Sequence, residues 1–239
     1  MLIDMHVHCH ELDVIDSYAQ GFTLVCVAED LASSRAVVEL ARKYSYVKPC
    51  VGIHPWRVEQ CDSYQVRELL ETAISEGVEC IGEVGLDTRF VPQTITRQRE
   101  IFNIFLEYAR EYDLILNLHT AGTHREVFHL LVENKIERAY FHWYTGPEDM
   151  IKHLVENDYL MGLNPSWMVQ EKHKKIVSKI PLTHVLTESD APYEYRGMVL
   201  KPELISESID LLAKTHGLDR EYVEKALEKN FNRVFKQLR

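Results

Sequence analysis

Asp4, His6 and His8 punctuate the apolar run Leu2-Ile3-Asp4-Met5-His6-Val7-His8. On a strand alternate side chains share a face, so these three polar groups point one way and Met5 and Val7 the other. Two imidazoles so spaced can grip one metal ion if further ligands arrive from elsewhere. Alone, the pair is a weak signal, and a histidine-bearing strand end is the simpler reading. The chain then offers partners, each directly behind a short apolar run. His54 stands in Gly52-Ile53-His54-Pro55, and Glu83 and Asp87 in Gly82-Glu83-Val84-Gly85-Leu86-Asp87. His119 follows Leu114–Leu118, His142 follows Tyr140-Phe141, and Glu188 and Asp190 lie in Thr187-Glu188-Ser189-Asp190-Ala191-Pro192.

Side chains so far apart in sequence meet only if the apolar runs are strands ending at one rim. The strand candidates are Leu2–Val7, Phe22–Ala28, Val47–Ile53, Glu79–Gly82, Leu114–Leu118, Ala139–Phe141, Tyr159–Gly162 and Val185–Leu186. Amphipathic segments separate them, the alternation of strand-helix units in a parallel sheet. Asp62-Ser63-Tyr64-Gln65 has the form of a capping box, with Val66, Leu69, Leu70, Ala73 and Ile74 at helical spacing behind it. Ile101, Phe102, Phe105, Leu106 and Ala109 form another apolar stripe, as do Val127, Leu130 and Leu131. Pro147 suits a first helical position, with Glu148 and Asp149 near the positive end of the dipole. From Pro202 to Arg239 the pattern gives two or three helices, with Gly217 a stop and Asp219 a cap.

Eight such units in 239 residues match a (β/α)₈ TIM barrel, typically roughly 250 residues long. A doubly wound open sheet would satisfy the same alternation. In both folds chemistry sits at the C-terminal ends of the strands, where the polar residues above fall. No repeat or linker divides the chain, so residues 1–239 are expected to form a single domain.

Composition narrows the function. Hydrophobic residues at 46% and charged residues at 27% describe a globular protein, and no apolar run reaches the roughly 18 residues that span a bilayer. The first strand begins almost at once, so no leader is expected. Five scattered cysteines without a C-x-x-C pair suggest reduced thiols and a cytoplasmic protein. A formal charge of −10 argues against a broad basic surface for nucleic acid, yet bound metal can reverse the local sign of a site.

Taken in order, Asp-x-His-x-His, Gly-x-His-Pro, Gly-Glu-x-Gly-Leu-Asp, the strand-end His119, His-x-Tyr-x-Gly and Glu-x-Asp-Ala-Pro-Tyr resemble the TatD family. Asn230-Phe231-Asn232-Arg233-Val234-Phe235 is similar to that family's C-terminal N-x-x-R-x-F, so the resemblance spans nearly the whole chain. It implies a metal-dependent hydrolase or deoxyribonuclease of the amidohydrolase-like barrels. His6, His8 and Asp190 would hold one divalent ion, His119 and His142 a second, and Glu83 would bridge them. The pair would activate a shared water to cut phosphodiester bonds. Asp190 would serve as general base and His54 would contact substrate phosphate. Glu188 and Asp4 would orient the ligands. Four imidazoles favour zinc, manganese, iron or nickel, whereas the family's nuclease activity is associated with magnesium, leaving Mg2+, Mn2+ and Zn2+ all open.

The match thins in the loops. Ala121 stands where many members carry arginine, with Arg125 displaced by four residues. His142-Trp143-Tyr144 replaces H-C-F/Y, and no Asn lies between Arg196-Gly197 and Pro202. These departures touch substrate loops and no ligand, so DNA and a small phosphorylated, ester or amide substrate both fit the site. A binding protein with a vestigial site is the third alternative. His10, His124, His129, His153, His173, His184 and His216 are expected on surfaces or helices, and Lys172, Lys174 and Lys175 on a solvated helix face. Arg89, Arg125, Arg196 and Lys201 could meet a phosphate. Trp143, Tyr144, Trp167 and Tyr193 could stack on bases or simply pack.

Overall fold

The computed structural model describes residues 1–235. Eight parallel strands lie in the order of the sequence: β1 (Leu2–Val7), β2 (Phe22–Val27), β3 (Val47–Val51), β4 (Cys80–Gly85), β5 (Ile115–His119), β6 (Ala139–Phe141), β7 (Leu160–Leu163) and β8 (Val185–Thr187). Each expected strand is present, with ends shifted by at most three residues. Every strand pairs with its sequence neighbour, and residues at and after β8 bond back to β1, which closes the sheet. The open-sheet alternative is thereby excluded, and the fold is a (β/α)₈ barrel.

The helices are α1 (Leu31–Lys43), α2 (Ser63–Ser75), α3 (Ile95–Tyr112), α4 (His124–Glu133), α5 (Met150–Glu156), α6 (Glu171–Val177), α7 (Ile205–His216) and α8 (Arg220–Val234). The capping box forms as read: Asp62 accepts from the N–H of Gln65, and the Gln65 side chain accepts from the N–H of Asp62. The stripe from Ile101 to Ala109 is buried against the barrel. Gly217 ends α7 at φ 65°, the left-handed conformation that glycine adopts without a Cβ clash. Asp219 precedes α8, although its side chain makes no capping bond. Pro147 does not open a helix: α5 begins three residues later, because residues 147–149 form a turn.

The seam of the barrel closes beside β1. The Thr187 hydroxyl donates to the Ile3 carbonyl at 2.7 Å, and the N–H of Asp190 donates to the His6 carbonyl at 2.8 Å. The N–H of His8 donates to the Ala191 carbonyl at 2.9 Å. Residues beyond β8 therefore complete the sheet on β1, through the residues expected to hold metal.

The cysteine expectation fails. Cys50 and Cys80 are register partners on β3 and β4 and form a disulfide, as do Cys9 and Cys26, whose Cα atoms are 5.2 Å apart. Only Cys61 is a free thiol among the described residues. Cross-strand register creates the Cys50–Cys80 pair, and the turn after β1 brings Cys9 onto Cys26 of β2, neither of which linear spacing expresses. No helix of the described residues is long and apolar enough to cross a membrane.

Among the side chains that tie helix α8 to the barrel, Asn230 is buried and makes two hydrogen bonds. Asn230 donates to the carbonyls of Leu182 and Val185, both at 2.8 Å, at the start of β8. Asn230→Ala leaves two carbonyls without their donor and should cost about 3 kcal/mol. Urea denaturation would register this as a lower midpoint with an unchanged slope.

Candidate active site

At the C-terminal rim the carboxylate of Glu83, 3% exposed, is ringed by imidazoles. His119 Nδ1 lies 2.8 Å from it, His6 Nε2 and His54 Nε2 3.4 Å, His142 Nε2 3.8 Å and His8 Nε2 3.9 Å. Asp190 Oδ1 is 3.3 Å from His8 Nε2 and 3.5 Å from His6 Nε2. All seven residues singled out from the sequence, His6, His8, His54, Glu83, His119, His142 and Asp190, thus converge on one volume.

Their backbones are fixed by neighbouring strands. The N–H of Glu83 donates to Ala28, that of His54 to Glu29, and that of His142 to Leu118. Asp190 adopts φ 57°, a left-handed conformation that aspartate tolerates better than most residues. Gly162 must lack a side chain, because a Cβ there would lie 2.5 Å from Glu188 Oε2 and 2.6 Å from the Tyr140 hydroxyl.

Polar groups behind the ring set the orientation of each imidazole. The Asn117 amide nitrogen donates to the Met5 carbonyl, so its Oδ1 faces Nδ1 of His6 at 2.8 Å and accepts from it. His6 therefore turns Nε2 inward, where that buried nitrogen has no hydrogen-bond partner among the described residues. The N–H of Trp56 donates to Nδ1 of His54, which leaves the proton of this ring on Nε2, facing Glu83. Asp87 holds Nε2 of His119 at 3.0 Å, and Glu188 holds Nδ1 of His142 at 3.0 Å. Glu188 is itself gripped by the Tyr140 hydroxyl at 2.5 Å and the N–H of Trp143 at 2.9 Å.

Burial and charge act against each other here. Burial pushes the His6 imidazole down, but Glu83 and Asp190 outweigh it and carry it up to about 10. His119 rises to about 9 because Asp87 and Glu83 overcome the same penalty. His54 falls to about 4, chiefly through burial, and is neutral at pH 7. Burial would raise Glu83 and Asp190, but the surrounding imidazoles hold both below the ordinary carboxylate range. Asp4, fully buried beneath the site, is lifted by burial to about 7 although its carboxylate accepts from the N–H groups of Ser189 and His6.

Ligand atoms cluster as His6–His8–Asp190, His6–His142–Glu188 and His54–Glu83–His119. The first is the trio expected from the sequence. His119 and His142, expected to share the second ion, fall in different groups, although both approach the same Glu83 oxygen, at 2.8 and 3.8 Å. A further group, His10–Glu11–Glu29, lies beside His8.

Several surrounding residues escaped the sequence reading. Asn117 had a signal, as the one polar residue inside an apolar strand. Asp87 lay within a quoted motif, but nothing linear linked it to His119 or to Trp56. His173 and His184, expected on surfaces or helices, are buried against Ser166 and Asp158, His173 on α6. Tyr144 is a core residue, whereas Tyr193 stays exposed on the rim. Arg125 pairs with Asp149 at 2.6 Å, on the exposed side of α4.

The model of the family described as TatD related DNase matches residues 3–236. An uncharacterized metal-dependent hydrolase of Methanocaldococcus jannaschii is 27% identical over 98% of this chain and 97% of its own. The human deoxyribonuclease TATDN3 is 27% identical over 100% of this chain and 96% of its own. The crystal structure of YJJV, a TatD homologue from Escherichia coli, shares the fold with a TM-score of 0.86 at 23% identity, covering 98% and 97% of the two chains.

A positive ion entering the ring must displace the protons that His6 and His119 carry near neutral pH. Titration of zinc into the metal-free protein at pH 7 should release about two protons per chain, read by calorimetry in buffers of different ionisation enthalpy. Affinity should weaken as pH falls. Binding without proton release, or independent of pH, would contradict this assignment of charge.

Proposed function

Because the chain belongs to the TatD-related DNase family, we propose that it is a metal-dependent hydrolase that cuts DNA phosphodiester bonds. The observation that carries this reading is the Glu83 carboxylate in contact with five imidazoles, with Asp190 beside it. The donor set suits two divalent ions, which would take the place of the protons on His6 and His119. Imidazole nitrogens aim inward, anionic carboxylates lie between them, and polar groups fix each ring from behind. His6, His8 and Asp190 would hold one ion, His119 and His142 the other, with Glu83 shared. Such a pair supplies a nucleophile at neutral pH and offsets charge on the phosphate.

The chain's own residues do the rest. Asp190, kept ionised by its imidazole neighbours, takes the proton of the attacking water as general base. His54 is neutral and offers its Nε2–H to a phosphate oxygen. Asp87 and Glu188 keep the His119 and His142 rings from rotating. Four imidazoles favour a transition ion at the tighter position, and magnesium or manganese suits the working one. With a formal charge of −10, the protein recruits phosphate at this centre and not over a basic face.

A small phosphate ester is the second reading, favoured by Arg125, which is engaged by Asp149 and not free for a long substrate. The cytoplasm remains our proposed location. The paired cysteines are buried, which shields them from soluble thiol reductants.

End-labelled single-stranded DNA with magnesium or manganese tests the reading. The native protein should cleave it, and Asp190→Asn should lower kcat by at least about 100-fold. No cleavage by the native protein, or equal cleavage by Asp190→Asn, would refute it. Turnover of small phosphate esters alone would select the second reading.

A further inference from the structure

Two large aromatic side chains stand in solvent beside the ring of imidazoles, Trp56 at 48% exposure and Phe90 at 59%. Trp56 follows β3 and Phe90 follows β4, so both belong to the rim that carries His54 and Glu83. Their rings meet edge to face with centroids 5.8 Å apart, and Trp56 lies 5.2 Å from the His54 ring and 6.5 Å from that of His119. An exposed indole ordinarily swings between rotamers. This one is pinned: its Nε1–H donates to Asp87 Oδ2 at 2.7 Å, and Asp87 is fully buried. The same Asp87 oxygen holds Nε2 of His119, and the other accepts from the N–H groups of Arg89 and Phe90. One buried carboxylate thus fixes a candidate metal ligand, the indole and the turn that presents Phe90. The Arg89 guanidinium stacks over the Phe90 ring at 5.3 Å, placing a cation at the same ledge.

We infer that Trp56 and Phe90 form a stacking subsite for a nucleobase next to the phosphate under attack. The inference rests on the nucleic-acid reading above and adds where a base is gripped. A rigid aromatic face left in solvent costs little further ordering when a flat partner lands on it. A base carries a π-face whatever its identity, so the subsite accepts any of them. Arg89 offers a charge to the next phosphate along the strand. The Trp56 ring lies 5.2 Å from that of His54, so a base on the ledge would sit beside a phosphate held by His54.

Binding is tested first, without cleavage. Deoxyadenosine monophosphate should quench the tryptophan fluorescence of the metal-loaded protein, while deoxyribose 5-phosphate should not. Quenching should be lost in Trp56→Phe, leaving Trp143 and Trp167 as emitters. Equal quenching by both probes, or full quenching in Trp56→Phe, overturns the subsite even if DNA is cleaved. Cleavage is read next on two oligonucleotides that differ by one abasic site beside the cut. Trp56→Ala and Phe90→Ala should raise KM about tenfold for the base-bearing strand and leave KM unchanged for the abasic one. Phe90 makes no side-chain hydrogen bond among the described residues, so its variant guards against a folding defect. Equal loss on both strands would make the pair merely structural and overturn the proposal. If no strand is cleaved by the native protein, the nuclease reading fails, and the nucleotide-quenching comparison still decides the subsite.

Discussion

A carboxylate buried at 3% exposure cannot remain ionised without compensating charge, and Glu83 is met by imidazoles from four other strand ends. That requirement organises the rim. β1 carries His6 and leads into His8, β5 ends on His119, and β3 and β6 lead into His54 and His142. The barrel itself closes through the same residues, since the N–H groups of Asp190 and His8 complete the sheet between β8 and β1. Closing the fold and assembling the site are therefore one structural event. A slip of one residue at the seam would turn His6 and His8 to the wrong face of the strand.

The ring is held from outside as firmly as from within. Asn117 turns His6, the backbone of Trp56 turns His54, Asp87 turns His119 and Glu188 turns His142. Each contact selects which nitrogen faces Glu83. In the absence of a metal the balance of charge comes from protons on His6 and His119, which the carboxylates retain near neutral pH. The site is thus built for positive charge at its centre, and the metal and the proton are alternatives for that place. His54, neutral because burial dominates its surroundings, is the ring left with a proton to offer a substrate.

The legible part of this protein was the part written in local order. Short apolar runs ended in His, Glu or Asp, and strand alternation told which of them share a face. That was enough for eight strands and the seven converging residues. Closure into a barrel rather than an open sheet needed the family resemblance and the bonds from the residues at and after β8 to β1. What stayed hidden depends on register or tertiary packing. Cys50 faces Cys80 only because β3 and β4 align in parallel. His173 sits on a helix as its lysine-rich segment suggests, but only the packing of α6 shows that it is on the buried face, against Ser166. Asp87 joins His119 to Trp56 across three strand ends, a relation no linear spacing expresses. Pro147 had the residue type of a helix start, but the turn after His142 carries it past β6 before α5 begins.

The central claim is that this ring holds two ions astride Glu83. Anomalous scattering from crystals soaked in manganese tests it most directly. The account predicts two peaks about 3.5–4 Å apart, with the Glu83 carboxylate between them, one touching His6, His8 and Asp190 and the other His119 and His142. Peaks confined to the neighbouring group of His10, Glu11 and Glu29, or a single ion that leaves Glu83 unliganded, would contradict it.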